Sequence, residues 1–281
     1  MKVLVTGSAG VPGSDVLRLL EARGIPCVGT DSPELDLTDA ESVYRLVEDA
    51  APDAIIHCAG YTSADRAESL PEHCAALNGM GTLTVARAAV RVGAKMLYLS
   101  TPQVFPGTGD TPYGVSAAYG PHNVFGMSKV QGEDAVRSLL TRYFIVRADW
   151  IYGSGRGDFL RPMLQEAREK KVLRLASDQV CSPTYAADLA KVLVDLVATE
   201  KYGIWHARNE GFYSRAEFGS LIMKKTGTPC RILPVLTADL PGSPRRPLNL
   251  RFTGELPPGI DPMPSVEDAL TRCVNDLDLY T

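Results

Sequence analysis

No apolar run in this sequence approaches the ~18 residues that a membrane span needs, so no membrane partner is expected. A surplus of positive charge is also missing. The 29 lysines and arginines face 33 aspartates and glutamates, a net charge of −4, which argues against nucleic acid as a partner. The six cysteines lie far apart and form no C-x-x-C pair; this excludes a zinc knuckle or a dithiol redox motif and suits a reducing compartment. Nor do the four histidines show a metal-ligand spacing such as H-E-x-x-H, and no metal is expected. Lys2 leads directly into the apolar run Val3–Val5 with no leader-like segment, so the expectation is a cytoplasmic, soluble protein. Repeats and low-complexity segments are absent. The apolar content of 45% and charged content of 22% are those of a globular chain, and they exclude a disordered tail, a collagen-like fibre and a coiled coil.

What is present is an alternation of short apolar runs with longer helical patterns. Val3–Val5, Cys27–Gly29, Ala54–His57, Met96–Leu99 and Phe144–Val146 read as buried strands. Between them, Ser14–Ala22, Glu41–Asp49, Leu77–Val92 and Ser128–Leu140 carry apolar residues at three- and four-residue intervals. This order predicts an α/β fold with a doubly wound parallel sheet, whose strand C-termini line the ligand-binding edge. Residues 1–150 read as a dinucleotide-binding domain of the Rossmann type. Residues 151–281 read as a smaller C-terminal substrate lobe, with elements from about 172–208 returning to the sheet. In that half Phe159–Lys170 and Ala186–Ala198 read as helices, and Leu173–Leu175 and Gly203–His206 as strands. Ser214 with Glu217 three residues on predicts a capping box, and Thr228–Pro262, rich in proline and glycine, is expected to be irregular.

The first strand runs into Thr6–Gly13, with glycines at 7, 10 and 13 and a helix following. Gly7, Gly10, Val11 and Gly13 therefore form a candidate phosphate cradle: glycines permit the tight turn, the close approach of a pyrophosphate and close helix–strand packing. Pro12 counts slightly against it, because proline lacks an N–H that could face phosphate. Asp31 follows the second strand, where a carboxylate accepts hydrogen bonds from an adenosine ribose and repels a 2′-phosphate. No arginine or lysine stands beside it in sequence, so NAD(H) is favoured over NADP(H). A solvated loop aspartate is the alternative.

Further segments make the reading more specific. Leu35–Asp39, Ala59–Glu68, Asn78, Ser100–Thr101, Asn123–Lys129 with Gly132 and Glu133, Val146–Gly153, Asp178–Thr184 and Arg246–Pro247 with Asn249 occur in that order. Together they resemble the extended short-chain dehydrogenase/reductases, in the dTDP-4-dehydrorhamnose reductase branch, over nearly the whole length. The resemblance implies an NAD(P)H-dependent oxidoreductase acting on a nucleotide-bound 4-keto-6-deoxysugar. It assigns Thr101 and Lys129 to the catalytic set and Asp31, Asp36, Leu37, Ala59, Tyr61, Asn78 and Lys129 to the dinucleotide. It also places Gln103, Trp150 and Arg246 against the nucleotide-sugar. Core packing is the alternative for Trp150, and ordinary exposure beside a proline is the alternative for Arg246.

The chain departs from that family's pattern around one pocket. The family donates the proton from a tyrosine four residues before the lysine, and here that position is Phe125. Losing a positioned general acid typically costs ~10²–10⁴ in rate. The family's aspartate and tyrosine after the fourth strand are Pro102 and Gln103, and Val115 stands where a glutamate is usual. A diverged or impaired reductase is therefore expected. The alternative is a non-catalytic NAD(P)- or sugar-nucleotide-binding protein with a sensing or regulatory-subunit role, and the partners expected are a second copy in a homodimer or another enzyme that it regulates. Tyr61, Tyr113 and Tyr119 are the candidate substitute donors, and nothing in their spacing favours one of them.

Overall fold

The computed structural model describes residues 1–153, 155–240 and 246–276. The first half runs β1 (Val3–Thr6), α1 (Val11–Ala22), β2 (Cys27–Thr30), α2 (Ala40–Ala50), β3 (Ala54–His57), α3 (Ala64–Ala67) and α4 (Pro71–Ala75). A π-helical segment, Ala76–Gly81, joins α4 to α5 (Thr82–Val92); β4 (Lys95–Ser100), α6 (Val124–Leu139) and β5 (Tyr143–Arg147) follow. The second half contains β6 (Ile151–Tyr152), α7 (Leu160–Lys170), β7 (Val172–Ala176), β8 (Val180–Cys181), β9 (Thr184–Tyr185) and α8 (Ala186–Val197). It continues with β10 (Gly203–His206), β11 (Tyr213–Ser214), α9 (Arg215–Thr226), β12 (Arg231–Val235) and α10 (Val266–Asp276).

Six strands form one parallel sheet in the order β10-β5-β4-β3-β1-β2. Its strands read as continuous apolar runs because both faces are covered. Alternate residues go to opposite faces. Val3, Val5, Ile56, Leu97 and Val146 pack in one core with residues of α1 and α8. Leu4, Ile55, Met96, Tyr98 and Ile145 pack in the other with residues of α2, α5 and α6. From β1 the chain moves outward to β2 and then returns to the other side for β3. The strand order thus reverses between β1 and β3, and the crevice above that point is where such sheets bind ligands.

The second half departs from its sequence reading in two places. Within 172–208, β10 returns to the large sheet beside β5, whereas β7 pairs in parallel with β12 in a separate two-stranded sheet. The strand β12 lies inside the stretch expected to be irregular. Its burial is slight and it contains Pro234, so the sequence carries no clean alternation there; pairing with β7 supplies the order. A third apolar cluster, formed by residues including Leu160, Leu173, Phe218, Ile222 and Leu270, joins α7, β7, α9 and α10. The capping box forms as its spacing predicts: Ser214 N–H donates to Glu217 (2.7 Å) and Glu217 N–H to Ser214 Oγ (3.1 Å).

Candidate active site

The glycine turn is built at the strand-order reversal. Gly7 has a φ of +72°, and a Cβ there would lie 2.6 Å from the backbone nitrogen of Ala59, just beyond β3. A Cβ on Gly13 would lie 2.0 Å from Gly7 O, so α1 packs on the turn at a distance only glycine allows. Gly10 caps α1, and the first helical bond runs from Ser14 N–H to Gly10 O. The N–H groups of Val11 and Gly13 therefore point out of the helix start unused by its ladder, while Pro12 contributes none. This cradle fits a pyrophosphate with two donors rather than three.

Asp31 sits at the rim of that cradle. Oδ2 accepts from Ala9 N–H at 2.8 Å, and Oδ1 accepts from Ser32 N–H and from Arg156 Nη2 at 2.9 Å. Arg156 belongs to the loop after β6, and its own N–H donates to Ala9 O, so this loop lies along the outside of the glycine turn. The sequence argument for NAD(H) rests on neighbours along the chain, where no basic residue stands beside Asp31. A guanidinium 125 positions away in the chain reaches the carboxylate. Asp36 is exposed, and Oδ1 accepts the Thr38 N–H and hydroxyl, which hold its carboxyl below the ordinary range. Leu37 turns into the core beside Gly81.

Across the crevice, Asn78 in the π-helical segment is buried and fully engaged. Its Oδ1 accepts Tyr61 N–H (2.8 Å), and its Nδ2 donates to Tyr61 O (3.0 Å) and to Ser128 Oγ (2.9 Å). It thereby fixes the chain after β3 to α6. The extra residue in a π turn re-aims a side chain, and such turns frequently occur at functional sites. Phe125 lies on α6 in an apolar cluster with Ala67 and Cys74, against which Tyr61 packs. One turn later Lys129 is buried, with Nζ donating to Leu99 O at 2.7 Å and lying 4.1 Å from the centre of the Tyr98 ring. Burial pushes its pKa down to about 8.

Thr101 and Gln103 stand at the end of β4, both buried. Beside them, at the end of β5, is Asp149, which the sequence reading did not single out. Asp149 Oδ2 accepts from Gln103 Nε2 (3.1 Å) and Oδ1 from Trp150 N–H (2.9 Å), while Thr101 Oγ1 accepts from the N–H of the same Gln103 (3.2 Å) and so stands beside the carboxyl. Burial raises its pKa above the ordinary carboxylate value. The signal in sequence was its position: the first titratable residue past the C-terminal edge of an inner strand. Trp150 follows with φ +44°, an uncommon conformation for a bulky residue, and it is buried against Cys181, Leu250 and Phe252. Its ring face is covered by the Arg215 guanidinium at 3.8 Å. Burial and the nearby Arg246 charge push Arg215 down to about 10. Arg246 is in turn held by Asp65 of α3 through Nε at 2.8 Å. Arg215, also missed from sequence, makes Trp150 and Arg246 parts of one cationic corner.

Two of the three candidate tyrosines are committed elsewhere. Tyr113 bonds the backbone of Thr108, and Tyr119 donates to Glu133 at 2.6 Å. The Tyr61 hydroxyl is enclosed with no hydrogen-bond partner among the described residues. The site therefore brings together the glycine turn, Lys129, Thr101, Gln103 and Asp149 along the C-terminal edge of the sheet, with Trp150, Arg215 and Arg246 beyond.

This geometry can be set beside known proteins. The family described as the RmlD substrate binding domain matches residues 1–278. The chain belongs to it. Among its relatives, the spore coat polysaccharide biosynthesis protein SpsK of Bacillus subtilis is 34% identical, over 88% of this chain and 87% of that one. The dTDP-4-dehydrorhamnose reductase of Streptomyces griseus is 38% identical over 74% of this chain and 70% of its own. The crystal structure of dTDP-4-dehydrorhamnose reductase from Bacillus anthracis in complex with NADP superposes with a TM-score of 0.94 at 34% identity, covering 98% of this chain and 99% of that one. That reductase thus shares the fold of this chain almost from end to end.

Proposed function

We propose that the protein is an NAD(P)H-dependent reductase of a nucleotide-bound 4-keto-6-deoxysugar, diverged in its proton donor. The observation that carries this reading is the clustering of Thr101, Gln103, Asp149 and Lys129 at one edge of the sheet, beside a glycine turn at the helix start where the strand order reverses. The relatives' dTDP-4-dehydrorhamnose reductase activity supports the same substrate class.

In this reading the glycine turn and the N–H groups of Val11 and Gly13 hold the pyrophosphate of the dinucleotide. Bound in reduced form, that group supplies a hydride. Lys129, anchored to Leu99 O, faces the ribose and keeps a positive charge near the developing alkoxide. Thr101 donates to the ketone oxygen. Arg215 and Arg246 take the diphosphate of the sugar nucleotide, a task suited to forked guanidinium groups. Arg156 offsets the charge of Asp31, so the cofactor reading moves from NAD(H) favoured over NADP(H) to acceptance of both.

The test is direct. NADH and NADPH are titrated by fluorescence, and absorbance is then followed with a dTDP-4-keto-6-deoxysugar. Oxidation of the reduced cofactor dependent on the sugar supports the proposal. Binding of both ligands without turnover supports the non-catalytic alternative instead.

A further inference from the structure

Phe125 leaves the ketone without the phenol that a tyrosine would have provided, and the question is which group supplies the proton. Tyr113 and Tyr119 donate to other partners, and Tyr61 points its hydroxyl into an enclosure with no polar contact among the described residues. At the edge where Thr101 lies stands a carboxyl that shares Gln103 with it, Asp149. Resting on the reductase reading above, we infer that Asp149 is the acid of this site and hands its proton to the substrate ketone through the Thr101 hydroxyl.

The geometry supports this in three respects. First, Asp149 follows β5 and Thr101 follows β4, and these strands are paired, with Ser100 opposite Arg147 and Ala148 N–H bonded to Ser100 O. The carboxyl and the hydroxyl are therefore held by backbone rather than by flexible loops. Second, Gln103 Nε2 binds Asp149 Oδ2, while Gln103 Oε1 accepts from Asn123 Nδ2 at 3.0 Å, the cap of the helix that carries Phe125 and Lys129. Gln103 thus links the acid to α6. Third, Trp150 N–H bonds the other oxygen, and the left-handed backbone at Trp150 keeps that contact.

Protonation decides how Thr101 points. Beside an ionised Asp149, the threonine hydrogen is drawn to the carboxylate. Beside a neutral Asp149, the carboxyl hydrogen can donate to Thr101 Oγ1, which frees the threonine hydrogen for the ketone. Burial favours the neutral acid. The groups facing it are Arg215 from α9, whose charge opposes that shift, Cys181 from β8, and the uncharged Thr101 and Gln103. The balance of the step follows. The carbonyl carbon accepts hydride from the dinucleotide, which is oxidised. The carbonyl π pair moves to oxygen, and oxygen takes the Thr101 proton as Thr101 takes that of Asp149. The carboxylate left behind regains its proton from water.

The experiment uses the full chain with NADPH or NADH and a dTDP-4-keto-6-deoxysugar. Wild-type turnover is expected to be greatest at low pH and to fall as pH rises through the Asp149 pKa, since the acid must carry its proton. Asp149→Asn and Asp149→Ser are expected to lose ~10²–10⁴-fold in kcat, with reduced-dinucleotide binding by fluorescence unchanged. Adding Phe125→Tyr to Asp149→Asn restores at least a tenfold part of the loss, because the phenol returns. Independently of activity, ¹³C-carboxyl NMR with Asp149→Asn for assignment should show this carboxyl titrating above the ordinary aspartate value. An Asp149 carboxyl titrating at or below that value overturns the inference. So does an Asp149→Asn enzyme within threefold of wild type with the same pH profile, and here the reductase reading stands. A wild-type protein that binds both ligands and never turns over removes the reductase reading and the acid with it.

Discussion

At the scale of single residues, the site sets Phe125 beside two titratable groups that burial shifts, Lys129 and Asp149. Lys129 is held at a pKa of about 8 because burial penalises its ammonium, although Leu99 O accepts from it. The unfolded chain would titrate near the ordinary 10.5. Between these values the unfolded state binds the proton that the folded state has released, so stability rises with pH across that window, and below it the penalty is at full size. Lys129→Met is therefore expected to stabilise the protein at pH 7 by up to about 3 kcal/mol, a gain that fades as pH rises from about 8 to 10.5. Urea unfolding at pH 7 and pH 10.5 checks the sign. The same variant loses dinucleotide affinity, as expected where a site carries a charge at the expense of stability. Phe125 was legible in the sequence because it breaks a spaced motif. Asp149 was not, because one aspartate among many gains meaning only from the neighbouring strand.

At the scale of elements, the first turn was the most legible part, since its three glycines each answer a steric demand. Gly13→Ala would set a methyl 2.0 Å from Gly7 O. It is expected to cost about 1–3 kcal/mol and to abolish tight NADPH binding, measured by thermal unfolding and fluorescence titration. The helix expected over 77–92 begins earlier, at Pro71, and passes through a π-helical segment. Periodicity of apolar residues does not reveal that widening, which the bonds of Asn78 to Tyr61 and Ser128 accompany. β12 was illegible for a related reason: a short, half-exposed strand acquires its identity from the partner it pairs with.

At the scale of the whole molecule, two polar contacts join distant parts. The fully buried Arg147 and Glu133 are bonded at 2.7 and 2.8 Å, with Ser100 and Tyr119 donating to the same carboxylate. This unites β4, β5, α6 and the loop at 119. Glu133→Ala leaves a buried guanidinium unpaired and is expected to cost about 3–5 kcal/mol. Arg23→Ala, which breaks the exposed pair with Asp195, should cost no more than ~1 kcal/mol. Denaturant midpoints of the two variants test the contrast. The other contact, Arg156 to Asp31, brings the second half of the chain to the rim of the glycine turn. Arg156→Ala is expected to weaken NADPH several-fold relative to NADH, because Asp31 then faces a 2′-phosphate alone. Equal changes for the two cofactors would remove Arg156 from that role.

Taken alone, the sequence determined the alternation of strands and helices, the glycine turn, the capping box and the family, because these depend on local spacing and on motif order. The expectation that Phe125 stands where the family has its tyrosine also came from motif spacing alone. The tertiary structure decided which charges meet: Arg156 with Asp31, Arg215 over Trp150, and Asp149 beside Thr101 and Gln103. Charge interactions fall off with distance in space and are indifferent to distance along the chain, so only the folded arrangement could assign them.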